Sequence, residues 1–490
     1  MEDTLQELDA DYGSDLVHAA LGVLIPGFTG TRLPEWAAVA LDHGLGGLFL
    51  FGHNVASPSD VRRLSDQLHG IAPAALLASD EEGGTVTRLQ QAGGSDWPGH
   101  RALGQVDDVV LTRGVAAEMG AWLRDCGIDM VAAPVLDVDD TVDNPVIGVR
   151  SFGGDPAMVI RHGQAFAAGL HDAGLIACAK HFPGHGATHT DSHLGVPTVD
   201  DDLETLWRRD LAPFAAVARA GIPAIMSAHV IHRALAAGPA TLSPETVGLL
   251  RKELGFDGVV CSDALDMHAI SHSVGRRRGA VLALSAGVDL LCLGNPQFPE
   301  PYDAQADTAQ MVTALCEAVR TGQISETRLA EAARRVRSLG AGRIQRAAAA
   351  PVGGSGPAEH GLSAARAALQ VTGKLPELTG GVSVRGSFGR GNIAAGTRCE
   401  TFIRALQEAL GKDDAGDSAA PQEREYLLVT DDSTDHASVA WEDVAVVVHT
   451  GCRELELPDG LAQVRTFGGG RASGIAAGEI LAGRASHGRR

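Results

Sequence analysis

Aromatic side chains are scarce, at 4% of the 490 residues, so any core has to be built mostly from Ala, Val, Leu and Ile. Basic charge is short as well: 40 Lys and Arg stand against 61 Asp and Glu, a net charge of −21. That balance argues against broad binding to nucleic acid or to an anionic membrane surface, both of which need a basic face. No apolar run approaches the roughly 20 residues that a bilayer-spanning helix requires. The acidic opening MEDTLQELDADYGSDLVHAA has no basic stretch leading into an apolar one, so it does not read as a signal peptide. Seven cysteines, at 126, 178, 261, 292, 316, 399 and 452, form no CxxC pair and are odd in number. Several lie in apolar runs, which points to buried free thiols in a reducing, cytoplasmic setting rather than to a disulfide framework. No resident metal or cofactor is expected.

What is present is a rhythm. Between residues 20 and 340 short apolar runs alternate with polar turns and amphipathic helical stretches. The runs are LGVLIP (21–26), GGLFLF (46–51), AALLAS (74–79), DMVAAP (129–134), LIACAK (175–180), PAIMSA (223–228), GVVCSD (258–263) and VDLLCLG (288–294). They are continuous rather than alternating, as strands buried on both faces are. Stretches such as 57–70 and 203–221 read as the intervening helices. Eight strands alternating with helices predict a (β/α)8 TIM-type barrel. An open doubly wound sheet is the alternative, disfavoured because no GxGxxG follows the first strand. The Ala-, Gly- and Pro-rich stretch 346–358 predicts a linker between a barrel domain at 1–345 and a smaller α/β sandwich domain at 359–490. In that smaller domain 426–432 and 444–451 read as strands, 472–483 as a helix, and 411–424 as a polar loop.

Chemistry concentrates where the runs end. Asp80, Asp137, Lys180 with His181, His229 and Asp263 each sit at or just past the end of a predicted strand, and a barrel gathers those ends on one face. Asp263, closing GVVCSD, is a positioned carboxylate able to attack an electrophilic carbon or to stabilise a cation. Asp266 reads as an acid in the first turn of the next helix. In KHFPGHGATHTDSH (180–193) histidines recur every four residues, but Pro183, Gly184 and Gly186 exclude a helix. A zinc site there is one reading. The other is a mobile loop carrying an Asp191–His193 couple, in which the carboxylate sets the imidazole tautomer for proton transfer; an Asx-turn beside a surface histidine is the bland version. Asp80 can accept from two sugar hydroxyls, next to Gly83 and Gly84, which let backbone come close. Arg88 shares that segment, and Arg150 is a fixed cation suited to a carbonyl or hydroxyl.

Taken together, SDEEGGTVTRL (79–89), APVLDV (133–138), RSFGGDP (150–156), AKHFPGHGATHTDSH (179–193), MSAHV (226–230) and ELGFDGVVCSDALDM (253–267) resemble glycoside hydrolase family 3, and within it the β-N-acetylglucosaminidase branch. The resemblance covers about 20–345 well and the C-terminal part only loosely, with PDGLAQVRTFGG (458–469) as its nearest match. It implies a retaining, two-step reaction. Asp263 matches the nucleophile, and His193 the general acid/base with Asp191 as its partner. Asp80, Arg88, Arg150, Lys180 and His181 match residues that hold the terminal sugar, and Met226 and His229 line the site by analogy. Ala264 departs from the pattern, since several close relatives carry a second Asp there.

The implied substrate is a glycan containing N-acetylglucosamine, a peptidoglycan fragment in wall recycling being the expected source. Phosphate is an alternative acceptor, because neutral imidazole does not repel an incoming dianion as a carboxylate would. A β-glucosidase-type exo-glycosidase of the same family, a metal-dependent hydrolase and an inactive scaffold are the remaining alternatives. The DSH loop and the intact Asp263 count against the first and last of these.

Overall fold

The computed structural model describes residues 1–140, 144–188, 195–349, 358–378, 382–388, 399–411 and 425–483. All eight predicted runs become parallel strands: β1 Leu24–Ile25, β2 Gly47–Leu50, β3 Leu76–Ser79, β4 Met130–Val131, β5 Ile176–Phe182, β6 Ala224–Ser227, β7 Val259–Ser262 and β8 Leu291–Cys292. Strands β2 to β7 pair in chain order in one sheet. Ser262 N donates to Leu290 O at 2.8 Å to join β7 to β8, Leu24 and Ile25 pair with Leu291 and Cys292, and Phe49 N donates to Pro26 O at 3.0 Å. The sheet therefore closes on itself, and the fold is the (β/α)8 barrel rather than an open sheet.

Closure explains why the runs look uniformly apolar. Alternate residues such as Phe49, Ala78, Cys178, Met226 and Cys261 fill the barrel interior. Their neighbours Leu48, Leu77, Ala179, Ile225 and Val260 face the surrounding helices in the main core. With both faces buried, no polar alternation survives. The helix expected at 57–70 is Pro58–Ile71, started by Ser57, whose hydroxyl accepts from Asp60 N at 3.2 Å. The single helix expected at 203–221 is instead two, Leu203–Arg209 and Leu211–Arg219. Pro213 is the physical reason: it has no N–H with which to continue the ladder, and it is accommodated in the first turn of a new helix.

Helix Glu326–Ala349 continues past residue 345, and 350–357 lie outside the described residues. Beyond them a second sheet holds β9 Gln370–Thr372, β10 Val382–Ser387, β11 Glu425–Thr430, β12 Val446–His449 and β13 Ala462–Arg465, ordered β9–β13–β12–β11–β10. Only β9 is antiparallel to its neighbour. The helices Cys399–Leu410 and Arg471–Leu481 pack together, so this half is an α/β unit as expected, with three strands, β9, β10 and β13, that the sequence did not reveal. Among the described residues no helix is long and apolar enough to cross a membrane. The described cysteines are free, and all but the partly exposed Cys452 are buried.

Candidate active site

The carboxyl ends of the barrel strands carry an uninterrupted chain of buried polar contacts. Asp80, just past β3, accepts from Lys180 Nζ at 2.8 Å and from Arg88 Nη2 at 3.0 Å. Lys180 Nζ also lies 2.7 Å from Glu82 Oε1. Glu82 receives Arg150 through Nε at 2.9 Å and Nη2 at 2.8 Å, a bidentate pairing. Arg150 Nη2 reaches His181 Nε2 at 3.4 Å, and His181 Nδ1 meets Asp137 Oδ2 at 2.6 Å. A carboxylate can only accept, so Nδ1 carries the ring proton and Nε2 offers its lone pair toward Arg150.

Signs alternate along this chain, which is what makes its burial tolerable. Burial alone would raise the Asp80 and Glu82 carboxyls. Lys180 and Arg88 outweigh it at Asp80, and Arg150 and Lys180 outweigh it at Glu82, so both are held below the usual range. For Lys180, burial disfavours the ammonium, but Asp80 and Glu82 more than reverse that and raise its pKa. At Asp137 burial is overcome by the neighbouring His181, and the carboxyl is lowered.

Local sequence builds the frame. Glu81 points away from Glu82 and closes a hairpin, accepting from Thr87 Oγ1, Arg88 N and Leu89 N at 2.7, 2.8 and 2.7 Å. Gly83 and Gly84 turn it at φ 78° and 57°, and a Cβ on Gly83 would stand 2.7 Å from Pro98 O. Asp137 also accepts the backbone N–H of His185 at 2.7 Å, pinning the loop that leaves β5. His185 Nδ1 lies 2.7 Å from Thr188 Oγ1, and burial lowers its pKa to about 4.

Asp263 sits past β7 with its N–H on Ser227 O at 3.0 Å, half-buried, its Oδ1 accepting from Ala264 N at 2.7 Å. Asp263 follows β7 as Asp80 follows β3 and Lys180 lies in β5, so it and the polar chain stand at the carboxyl ends of strands of one closed barrel. His229 is fully buried. Its Nε2 donates to the Ala264 carbonyl at 3.0 Å, and its Nδ1 lies 2.9 Å from Thr241 Oγ1. It thereby holds the peptide directly after Asp263. Met226 lies inside the barrel, 3% exposed.

Asp191, His193 and His189 lie outside the described residues. Both flanks of that segment are anchored. On one side His232 Nε2 donates to Gly184 O at 2.8 Å, and Asn144 Nδ2 donates to His185 O and Gly186 O at 2.9 Å each. On the other, Thr198–Val199 pairs in parallel with Ile231–His232, which follow β6. Two readings change. Asp266 does not cap a helix, because the next helix starts only at His268; its Oδ2 accepts Asn295 N at 2.6 Å and ties the β7 and β8 loops together. Glu82, central to the polar chain, was not singled out from sequence; two acids before GG were the only signal.

Residues 29–339 match the family described as Glycosyl hydrolase family 3 N terminal domain. A β-hexosaminidase of Alkalilimnicola ehrlichii is 39% identical over 294 residues, covering 58% of this chain and 83% of that protein. The solved glycoside hydrolase family 3 β-N-acetylglucosaminidase from Paenibacillus sp. str. FPU-7 superposes with a TM-score of 0.82 at 31% identity, over 96% of this chain and 97% of that one. A family 3 glycosyl hydrolase of Mycobacterium smegmatis matches 66% of this chain and 96% of its own, at 32% identity and a TM-score of 0.59. A closed barrel with a paired polar chain and a carboxylate at its mouth, and a family match that spans more than half of the sequence, place this chain among the glycoside hydrolases of family 3.

Proposed function

We propose that the chain is a retaining exo-β-N-acetylglucosaminidase, with residues 1–345 performing the chemistry. The observation that carries the proposal is the polar chain from Arg88 to Asp137 lying, like Asp263, at the carboxyl ends of the barrel strands. A sugar ring needs several hydroxyls bound at once, and Asp80, Lys180 and Arg88 supply convergent acceptors and donors already fixed by one another. In this reading Asp80, Lys180 and His181 grip the distal hydroxyls, Arg150 stands nearer the N-acetyl side, Met226 lines the site, and His229 holds the loop bearing the nucleophile.

In the first step Asp263 attacks the anomeric carbon. The glycosidic C–O bond breaks, the sugar becomes an ester of Asp263, and protonated His193 gives its proton to the leaving oxygen. In the second, neutral His193 takes a proton from water as that water attacks the same carbon, releasing N-acetylglucosamine and free Asp263. Asp191 orients the imidazole. The relatives named β-hexosaminidase and β-N-acetylglucosaminidase support the sugar assignment. As natural substrate we propose a wall fragment with N-acetylglucosamine β-linked to (anhydro-)N-acetylmuramic acid, met in the cytoplasm.

The test compares turnover of aryl β-N-acetylglucosaminide, aryl β-glucoside and that wall disaccharide, with and without phosphate. Release of free N-acetylglucosamine from the first and third substrates is expected. Preference for the glucoside overturns the sugar assignment, and N-acetylglucosamine 1-phosphate as the product overturns hydrolysis.

A further inference from the structure

Three ligand-type side chains meet at a place the hydrolytic reading does not use. His268 and His272 lie one helical turn apart in MHAISH, just past the Asp263–Met267 loop, and their rings stand 4.1 Å apart. Glu300, from the loop after β8, brings Oε1 to 3.9 Å from His268 Nε2 and 3.5 Å from His272 Nε2. Among the described residues this is the one group of three such side chains whose ligand atoms all fall within 4.8 Å of one another.

Two further observations point to a cation. His268 Nε2 is buried and has no hydrogen-bond partner, its distance to Glu300 being too long for one. The tautomer of His272 is set by its neighbour. Ser271 Oγ donates its single proton to Met267 O at 3.1 Å, so toward His272 Nδ1, also at 3.1 Å, it can only accept. Nδ1 then carries the ring proton, and Nε2 turns its lone pair toward a carboxylate. An unpartnered imidazole nitrogen, a lone pair and a carboxylate thus converge, an arrangement that a cation between them satisfies. Nitrogen and oxygen ligands about 2.0–2.2 Å from a tetrahedral ion lie roughly 3.3–3.6 Å from each other; His272 Nε2 meets that spacing to Glu300 at 3.5 Å, and His268 Nε2, at 3.9 Å, comes within a few tenths of an ångström of it.

We propose that His268, His272 and Glu300 form a binding site for a borderline transition-metal dication, zinc being the probe of choice, with solvent in the remaining position. Two imidazoles and one carboxylate are the donor set such ions prefer, and hard magnesium or calcium would not select it. A bound ion would bridge the loop after β7 to the loop after β8, alongside the Asp266–Asn295 contact. The site is separate from the hydrolytic proposal and stands or falls without it.

The test is zinc titration of the full chain in competition with a chromogenic chelator, on wild type, His272→Ala and Glu300→Gln, with thermal unfolding in EDTA confirming that all three fold alike. The wild type is expected to bind one zinc equivalent more than His272→Ala and to gain in Tm with zinc where His272→Ala does not, while Glu300→Gln, which loses a direct carboxylate ligand, should bind that equivalent at least about tenfold more weakly than wild type. Equal stoichiometry, affinity and zinc response in all three would overturn it.

Discussion

Glu82 and Arg150 pair through two parallel hydrogen bonds, 2.9 and 2.8 Å long, with side chains 1% and 5% exposed. Removing Glu82 leaves the buried Arg150 guanidinium without its carboxylate partner. Glu82→Ala is expected to cost about 3–5 kcal/mol of stability, the usual result of leaving a buried charge unpaired. It should also abolish turnover, because Lys180 loses one of its two anchors. Denaturant unfolding measures the first effect; a midpoint unchanged from wild type would remove Glu82 from the buried network.

His229 acts on the nucleophile through the Ala264 carbonyl. His229→Ala should lower kcat by about 10–100-fold, the equivalent of roughly 1–3 kcal/mol for a lost buried hydrogen bond, while KM changes little. His229→Gln, which keeps a donor, should recover part of the loss. A rise in KM at constant kcat would instead make His229 a sugar contact.

Acid should destabilise the protein in a defined window. Burial holds His185 and His232 at about 4 and His100 at about 3, all below the ordinary 6.5. A base with a lowered folded pKa gives stability that is complete above its unfolded value and is lost as pH falls. Unfolding free energy should therefore drop from about pH 6.5 toward pH 4. Replacing His232 with Gln should flatten that slope in a pH series of urea titrations, and a slope unaltered by the change would show that His232 takes no part.

Gly470 carries the second sheet's side of a close approach to the barrel. A Cβ there would lie 3.0 Å from Gly84 Cα and 3.1 Å from Gly84 O, in the turn that follows Glu82. Gly470→Val should lower kcat/KM by about tenfold, or roughly 1.4 kcal/mol, without touching the sugar. Activity equal to wild type would mean that the hairpin tolerates displacement.

The barrel was legible because its strands are buried on both faces, so apolar runs stand out from polar turns. Strand β13 was not, since Gln463 and Arg465 interrupt it; both are buried, and Arg465 donates Nη2 to Cys452 O at 2.6 Å and stacks over Phe467. Asp80 and Lys180 stood out by their places at predicted strand ends and Arg150 by its motif, and the structure joins all three in one polar chain. Glu81 and Glu82 could not be told apart from sequence, because adjacent residues of an extended segment face opposite ways and only the fold says which way meets Arg150. Asp266 was misread because its partner, Asn295 N–H, lies on another strand's loop and leaves no local trace.

The most direct test of the central claim uses His193→Ala with an aryl β-N-acetylglucosaminide whose leaving group needs no proton. Its first step should proceed and its second should stall, so that the protein gains the mass of one N-acetylhexosamine residue on the peptide containing Asp263. The same experiment on an Asp263→Ala, His193→Ala double variant should give no adduct. A sugar ester on a different carboxylate, or unmodified protein during ongoing turnover, would contradict the account.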